Sequence, residues 1–322
     1  MLLRVIFAAL LVGFSHHAAL AQFPTRPVHI VVPYPPGGAV DSFARVLSQQ
    51  LSDVWGQQVV VDNRPGASTM IGAEQVAKSP ADGYTLLLSA ELTFVTVPHL
   101  YEKMSYDPLK DFAPITGLVS ATQALVANPS LPAKTVKDIV ALAKAKPGEL
   151  SYGSFGIGST GHLNMEVLQA MTGVRFNHIP YSGAGPAMND VIGGHINFMF
   201  AALSIVKGNV QVGKLRMIGV GSDHRSREFP DVPTISESGV PGFEAKSWFG
   251  LVAPAGTPAD ITKKINNDVA KVLTDSAFAE KYLAAQGLEP IVSSPEQFVT
   301  FIRDETVKWG KVVRDANIKI TK

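Results

Sequence analysis

The chain predicts an α/β protein of two lobes around a cleft. Two runs of strand–helix–strand grammar separated along the chain point to it, as do the small-residue loops that follow the strands. Strands that alternate with helices argue for parallel sheets with helices on their faces. In such sheets the loops leaving the strand C-termini face the binding crevice.

The first series begins at Val28–Val32, a β-strand bounded by Pro27 and Pro33. Pro33–Gly38 cannot continue it. Val40, Phe43, Leu47, Leu51 and Val54 then recur at helical spacing. Gln58–Val61 is the next strand, residues 69–78 a short helix and Tyr84–Leu88 a third strand. The second series has a helix at Thr135–Ala145, stopped by Pro147-Gly148. Leu150–Ser154, Phe176–Tyr181, Ile196–Ala201 and Leu215–Gly221 are its strands, with helices at His162–Met171 and Pro186–Ile192. The C-terminal part adds a strand at Trp248–Ala253. Thr257-Pro258-Ala259-Asp260 caps a helix that turns Ile265, Val269, Val272 and Leu273 inward. A short helix at Phe278–Ala285 ends at Gly287. Ser294 caps the last helix, whose stripe is Phe298, Phe301, Ile302, Trp309, Val312 and Val313.

The terminal helices must cover a sheet, and the first series alone needs them more. The expected division is residues 22–125 with 235–322 as one discontinuous lobe, and 126–234 as an inserted second lobe. Two crossovers then make a hinged cleft.

Residues 1–21 read as a secretory signal peptide. Arg4 precedes the apolar stretch Val5–Phe14, and Ala19-Leu20-Ala21 offers a cleavage site. A buried N-terminal element and a retained anchor are the alternatives, although the run is shorter than a membrane span requires. Export would place the chain in the periplasm, away from nucleotide cofactors. Loss of Arg4 turns the net charge of +1 into zero, so no broad nucleic-acid footprint is present. There is no cysteine among the 322 residues, which removes thiolate nucleophiles, disulfides and Cys-bound metals. With 46% apolar and 17% charged residues, the chain can build a large core.

Three loops carry the candidate site. Tyr34, Pro35, Pro36, Gly37 and Gly38 lead into a helix whose free N–H groups and positive dipole end suit a carboxylate. Asp41 either supports that helix or reaches toward a ligand ammonium. Ser154, Gly156, Gly158 and Ser159 form a second nest, with Thr160 adding a hydroxyl. Gly156, Gly158 and Gly161 match a dinucleotide-loop spacing, but no acid follows where a ribose would need one. Tyr181 opens a third loop at Ser182–Gly185 and is either a pocket wall or core. Ser89 and Thr93 lie near the end of the third strand, and Glu91 between them would favour a ligand ammonium if it faced the cleft. Phe200 and Trp248 are either core or pocket floor. No His pair has HExxH spacing and no G-x-S-x-G elbow is present, so the equipment is that of reversible binding.

Pro33-Tyr34-Pro35-Pro36-Gly37-Gly38 with Asp41, Val60-Val61-Asp62-Asn63-Arg64-Pro65-Gly66, Pro80-Ala81-Asp82-Gly83-Tyr84 and Tyr106-Asp107-Pro108 occur in that order. Ser154–Ser159 with His162-Leu163, Pro180-Tyr181, Pro230–Thr234 and Ala253–Pro258 follow. Together they resemble the extracytoplasmic solute-binding receptors of the tripartite tricarboxylate transporter family, the Bug receptors. The resemblance covers essentially all of the chain beyond residue 21. It implies a periplasmic-binding-protein type II-like fold, two Rossmann-like lobes with parallel-rich mixed sheets that close as a Venus flytrap. It further implies a small organic acid (a dicarboxylate, tricarboxylate, amino acid or aromatic acid) held between Tyr34–Asp41 and Ser154–Ser159. Membrane permease subunits would be the partners, with no cofactor or metal, no catalysis, no nucleic acid and a monomeric state. A sensory binding subunit and an exported hydrolase are the competing readings. Ala67-Ser68-Thr69-Met70 and Pro98-His99-Leu100 depart from the family pattern, which usually has a glycine-rich stretch at the first and Asn-Pro at the second.

Overall fold

The computed structural model describes residues 23–318; the expected signal peptide lies outside them. Strand β1 (Val28–Val32) is almost wholly buried, as a central parallel strand must be. It pairs in parallel with β2 (Val59–Asn63) and β3 (Thr85–Ala90). The crossover helices are α1 (Ala39–Trp55) and α2 (Met70–Ala77). Val40, Phe43, Leu47 and Leu51 of α1 are buried, whereas Val54, part of the same spacing in the sequence, is exposed. After Glu91 the chain makes a π turn (Leu92–Thr96) and a short helix α3 (Val97–Leu100).

Strand β4 (Phe112–Ala127) has no counterpart among the elements read from sequence. Pro114 and Gly117 argue locally against a strand. The register shifts between Pro114 and Thr116, and again between Gly117 and Val119, so irregular pairing accommodates both. A Cβ at Gly117 would also sit 3.1 Å from the Ile291 carbonyl oxygen. This strand changes partners along its length. Residues 112–122 pair antiparallel with β9 (Lys246–Pro254), and 119–121 with β10 (Leu288–Pro290). Residues 123–127 instead pair with β7 (Phe198–Ala202), and 124–127 with β8 (Arg216–Val220). The sheet order is β2-β1-β3-β9-β4-β7-β5-β6, where β5 is Ser151–Ser154 and β6 is Asn177–Pro180. Parallel strands flank an antiparallel centre, which makes the sheets mixed. At the centre the Gly221 N–H donates to Gln123 O (2.7 Å), and the Ala245 N–H to Gly221 O (2.8 Å).

Around β4–β8 lie helices α4 (Val136–Ala145), α5 (Thr160–Thr172), α6 (Ala184–Gly193) and α7 (Leu203–Gln211). Helix α7 is not among the elements expected from the sequence. Around the other half lie α8 (Ala259–Thr274), α9 (Ser276–Phe278) and α10 (Pro295–Asp315). Thr257 does not cap α8: its hydroxyl donates to Pro254 O, and Pro258 is the uncapped N-cap residue. Ser294 does cap α10, in a reciprocal box with Gln297. The lobes touch: Leu163 of α5 shares a buried cluster with Phe94, Leu100 and Trp248.

Candidate functional site

Between the lobes lies a cavity of about 240 Å³. One wall is Tyr34–Val40, with Ala90, Leu92 and Phe249. The other is Phe155, Ser159, Thr160, the stretch Ser182–Pro186, Ala202 and Ile205. Gln123 and Ser247 complete it, and none of these residues is charged.

Four helix N-termini meet this space: those of α1, α5, α6 and α7. Their N-cap residues are Gly38, Ser159, Gly183 and Ala202, and none provides a side-chain cap. The Ser159 hydroxyl turns back to Gly156 O (2.6 Å) instead. Elsewhere, α4 and α10 carry full capping boxes. The first N–H groups of a helix have no intrahelical acceptor, and the dipole makes that end positive. An uncapped N-terminus facing a cavity is therefore a donor set for an anion.

Asp41 holds the first loop from behind. It is buried and does not line the cavity. Its carboxylate accepts from Gly37 N (2.8 Å), Asn63 Nδ2 (2.9 Å) and Arg45 Nε (3.1 Å). Burial acts to raise its carboxyl, but the bonds from Arg45, Gly37 and Asn63 outweigh it and hold the pKa below the usual carboxylate value. Ser89 and Thr93 also lie behind the wall, and the Thr93 hydroxyl donates to Thr69 (2.8 Å). The Tyr34 hydroxyl is buried without a hydrogen-bond partner. Burial and the Glu91 carboxylate push its pKa above the ordinary phenol value, with nearby Ser89 and Thr93 acting against the shift.

In the second loop, Gly156 (φ +130°) and Gly158 (φ +76°) adopt conformations that side chains disfavour. The loop is braced from inside. Ser154, fully buried, donates to Gly156 O (3.0 Å) and meets His178 Nε2 (2.7 Å). The Gly158 N–H donates to His162 Nδ1 (3.0 Å). The His162 and His178 rings stack with centroids 3.9 Å apart. Burial lowers the His162 pKa to about 3, with help from His178, and lowers His178 to about 4. Both imidazoles are thus neutral near pH 7.

Of the residues singled out in the sequence, the structure places Tyr34, Pro35, Pro36, Gly37, Gly38 and Ser159 on the cavity. Asp41, Ser89, Thr93, Ser154, Gly156 and Gly158 lie around it but do not line it. The Tyr181 hydroxyl donates to Asp190, and Phe200 is core, stacked on Phe243. Gln123, Ser247, Ile205 and Phe249 also line the cavity, and single polar or apolar residues on strands and helices carry no local signal in the sequence. The Ser182–Gly185 loop was visible through its composition. Among the described residues no cluster of three His, Asp or Glu is disposed to hold a metal ion.

A family model described as tripartite tricarboxylate transporter family receptor matches residues 43–318. Protein BugT of Bordetella pertussis is 40% identical over 309 residues, 96% of this chain and 94% of that protein. Among solved structures, R. palustris Rpa4515 with adipate superposes with a TM-score of 0.89 at 37% identity, over 93% of this chain and 100% of that one. MatC from Rhodopseudomonas palustris with bound malate gives 0.83 at 29% identity, over 90% and 100%. With the family model spanning most of its length and a relative aligned almost end to end, the chain belongs to the receptor family of the tripartite tricarboxylate transporters.

Proposed function

We propose that this protein is a periplasmic receptor that captures a small organic carboxylate between its lobes. It then delivers the acid to the membrane permease of a tripartite tricarboxylate transporter. The observation that carries the reading is the meeting of uncapped helix N-termini on a cavity lined only by neutral residues. Backbone N–H groups grip the carboxylate, and Pro35, Pro36, Phe155 and Phe249 cover its carbon skeleton. The two related structures whose names include adipate and malate support the ligand class.

Binding without turnover is part of the proposal. Ser154 and His178 touch, but the hydroxyl is sealed under its own loop and engaged by Gly156, away from the cavity. Residues 1–21 are removed after Ala21 on export. The lobes are 22–125 with 235–322, and 126–234. The exchange of strand partners at Gln123 supports a hinge beside the first boundary, while the link through Ala245 lies C-terminal to the second.

The test is calorimetric titration of the secreted protein with mono-, di- and tricarboxylates, with small-angle scattering before and after addition. One or more acids bind, the particle contracts, and the acid is recovered unchanged. Chemical conversion of the acid, or no binding across the panel, overturns the reading.

A further inference from the structure

Glu91 is 1% exposed and sits directly behind the cavity, between Ala90 and Leu92, which line it. One carboxylate oxygen accepts from the Thr160 hydroxyl at the start of α5. The other accepts from the Ser247 hydroxyl (2.6 Å) and the Trp248 N–H (3.2 Å) on β9. This is the donor set of an ionised carboxylate. Burial works the other way and raises the carboxyl above its usual value.

Thr160 and Ser247 also line the cavity. A hydroxyl has one proton. With both protons committed to Glu91, each oxygen can present only lone pairs to a ligand. Gln123 joins them. It is 2% exposed and lines the same cavity, and its Oε1 is buried with no partner. Its Nε2 points at Ala121 O (3.4 Å), and a carbonyl there fixes which end of the amide is free. Ala121 is paired with Ser247, so Gln123 lies on the same face of the sheet as Ser247, one diagonal step away. The Glu91 charge also stands at the N-terminus of α5, where it opposes an incoming anion. The donor groups left for a ligand carboxylate are those of α1, α6 and α7, at Gly38–Val40, Gly183–Gly185 and Leu203–Ile205.

Resting on the carboxylate-receptor reading above, we propose that Glu91, through Thr160 and Ser247 together with Gln123, makes a hydrogen-bond-accepting end that selects acids bearing an ammonium or primary amide opposite the carboxylate over dicarboxylates. An acceptor left unpaired in a buried site costs binding, and a second carboxylate placed there adds repulsion to that loss.

The experiment is calorimetric titration with chain-matched probes. One set is adipate, adipic acid monoamide and 6-aminohexanoate; the other is succinate, succinamate and 4-aminobutanoate. Matching the chain separates head-group preference from fit. The expected result is an amide or ammonium probe binding at least about tenfold tighter than its matched dicarboxylate. In Glu91→Gln the side-chain NH2 faces Thr160 and must donate to it, so the Thr160 hydroxyl turns toward the ligand as a donor. That variant should lose the preference and gain dicarboxylate affinity. Gln123→Met leaves the Glu91 bonds intact and should erode the preference by itself, so the proposal stays exposed should Glu91→Gln fold poorly. Dicarboxylates that bind as tightly as both their amide and their amine partners overturn the proposal and leave the receptor reading standing. Failure of every probe and of the wider carboxylate panel overturns the receptor reading as well.

Discussion

Gly158→Ala separates the folding of the second loop from closure of the lobes. At φ +76° an alanine costs roughly 1–2 kcal/mol. That cost is internal to the loop and is paid whether the lobes are open or closed. The added Cβ would also lie 2.1 Å from Cδ1 of Leu100, with Cγ and Cδ2 at 3.3 and 3.4 Å. Leu100 belongs to α3 and is 7% exposed; under the proposed division of the lobes it lies across the cleft from Gly158, and the clash then opposes closure alone. Relieving it means an off-rotamer leucine or a shift of packed neighbours, about 1–3 kcal/mol. Closure being linked to binding, affinity should fall by roughly five- to 150-fold. Calorimetry with a carboxylate that the wild type binds reads this, with urea unfolding as the fold control. Leu100→Ala in the same chain removes the clash and should restore much of the affinity, but not the loop strain. Unchanged affinity in Gly158→Ala, or no restoration in the double variant, refutes the reasoning.

Asp41→Ala removes the acceptor of the Gly37 N–H and the Asn63 amide, both within reach of water, and should lower stability by about 1–2 kcal/mol in urea unfolding. Arg45 is half exposed and adds little. Acid should destabilise the protein through His162 and His178. Both have folded pKa values below the unfolded value of about 6.5, so folding excludes their protons. Stability is complete above that value and declines as pH falls toward the folded values of about 4 for His178 and then about 3 for His162. The slope approaches about 1.4 kcal/mol per pH unit for each excluded proton and is smaller for the less buried His178. Unfolding series at pH 7.5, 6 and 5 check this, and His178→Phe should flatten the profile. Ala67, Ser68 and Thr69 all have positive φ, and Ala67 is exposed. Ala67→Gly should therefore raise stability by about 0.5–1 kcal/mol in thermal or urea unfolding, against the usual effect of glycine.

Much of the scaffold was legible in short-range pattern. The apolar run of Val28–Val32, broken only by His29, marks a strand whose four other residues are buried. Gly156 and Gly158 mark a loop that needs positive φ, and the Ser294–Gln297 spacing marks a cap. Each reflects steric or hydrogen-bond demands satisfied within a few residues. Strand β4 was hidden for a local reason too: Pro114 and Gly117 look like breaks until the irregular pairing with β9 absorbs them. In α1, Val54 shares the apolar spacing but falls past the edge of the packed face.

The residues of this chain alone determined where strands give way to loops and helices, and which loops could offer bare N–H groups to an acid. The tertiary structure decided which of those groups share a space and which side chains stand behind them. Asp41 braces a loop; Ser154 and His162 brace another. Glu91 meets Thr160 and Ser247 across separations of 69 and 156 residues. No periodicity spans such distances. The direction in which the Thr160 and Ser247 hydroxyls spend their single protons is set by a carboxylate that only folding brings beside them.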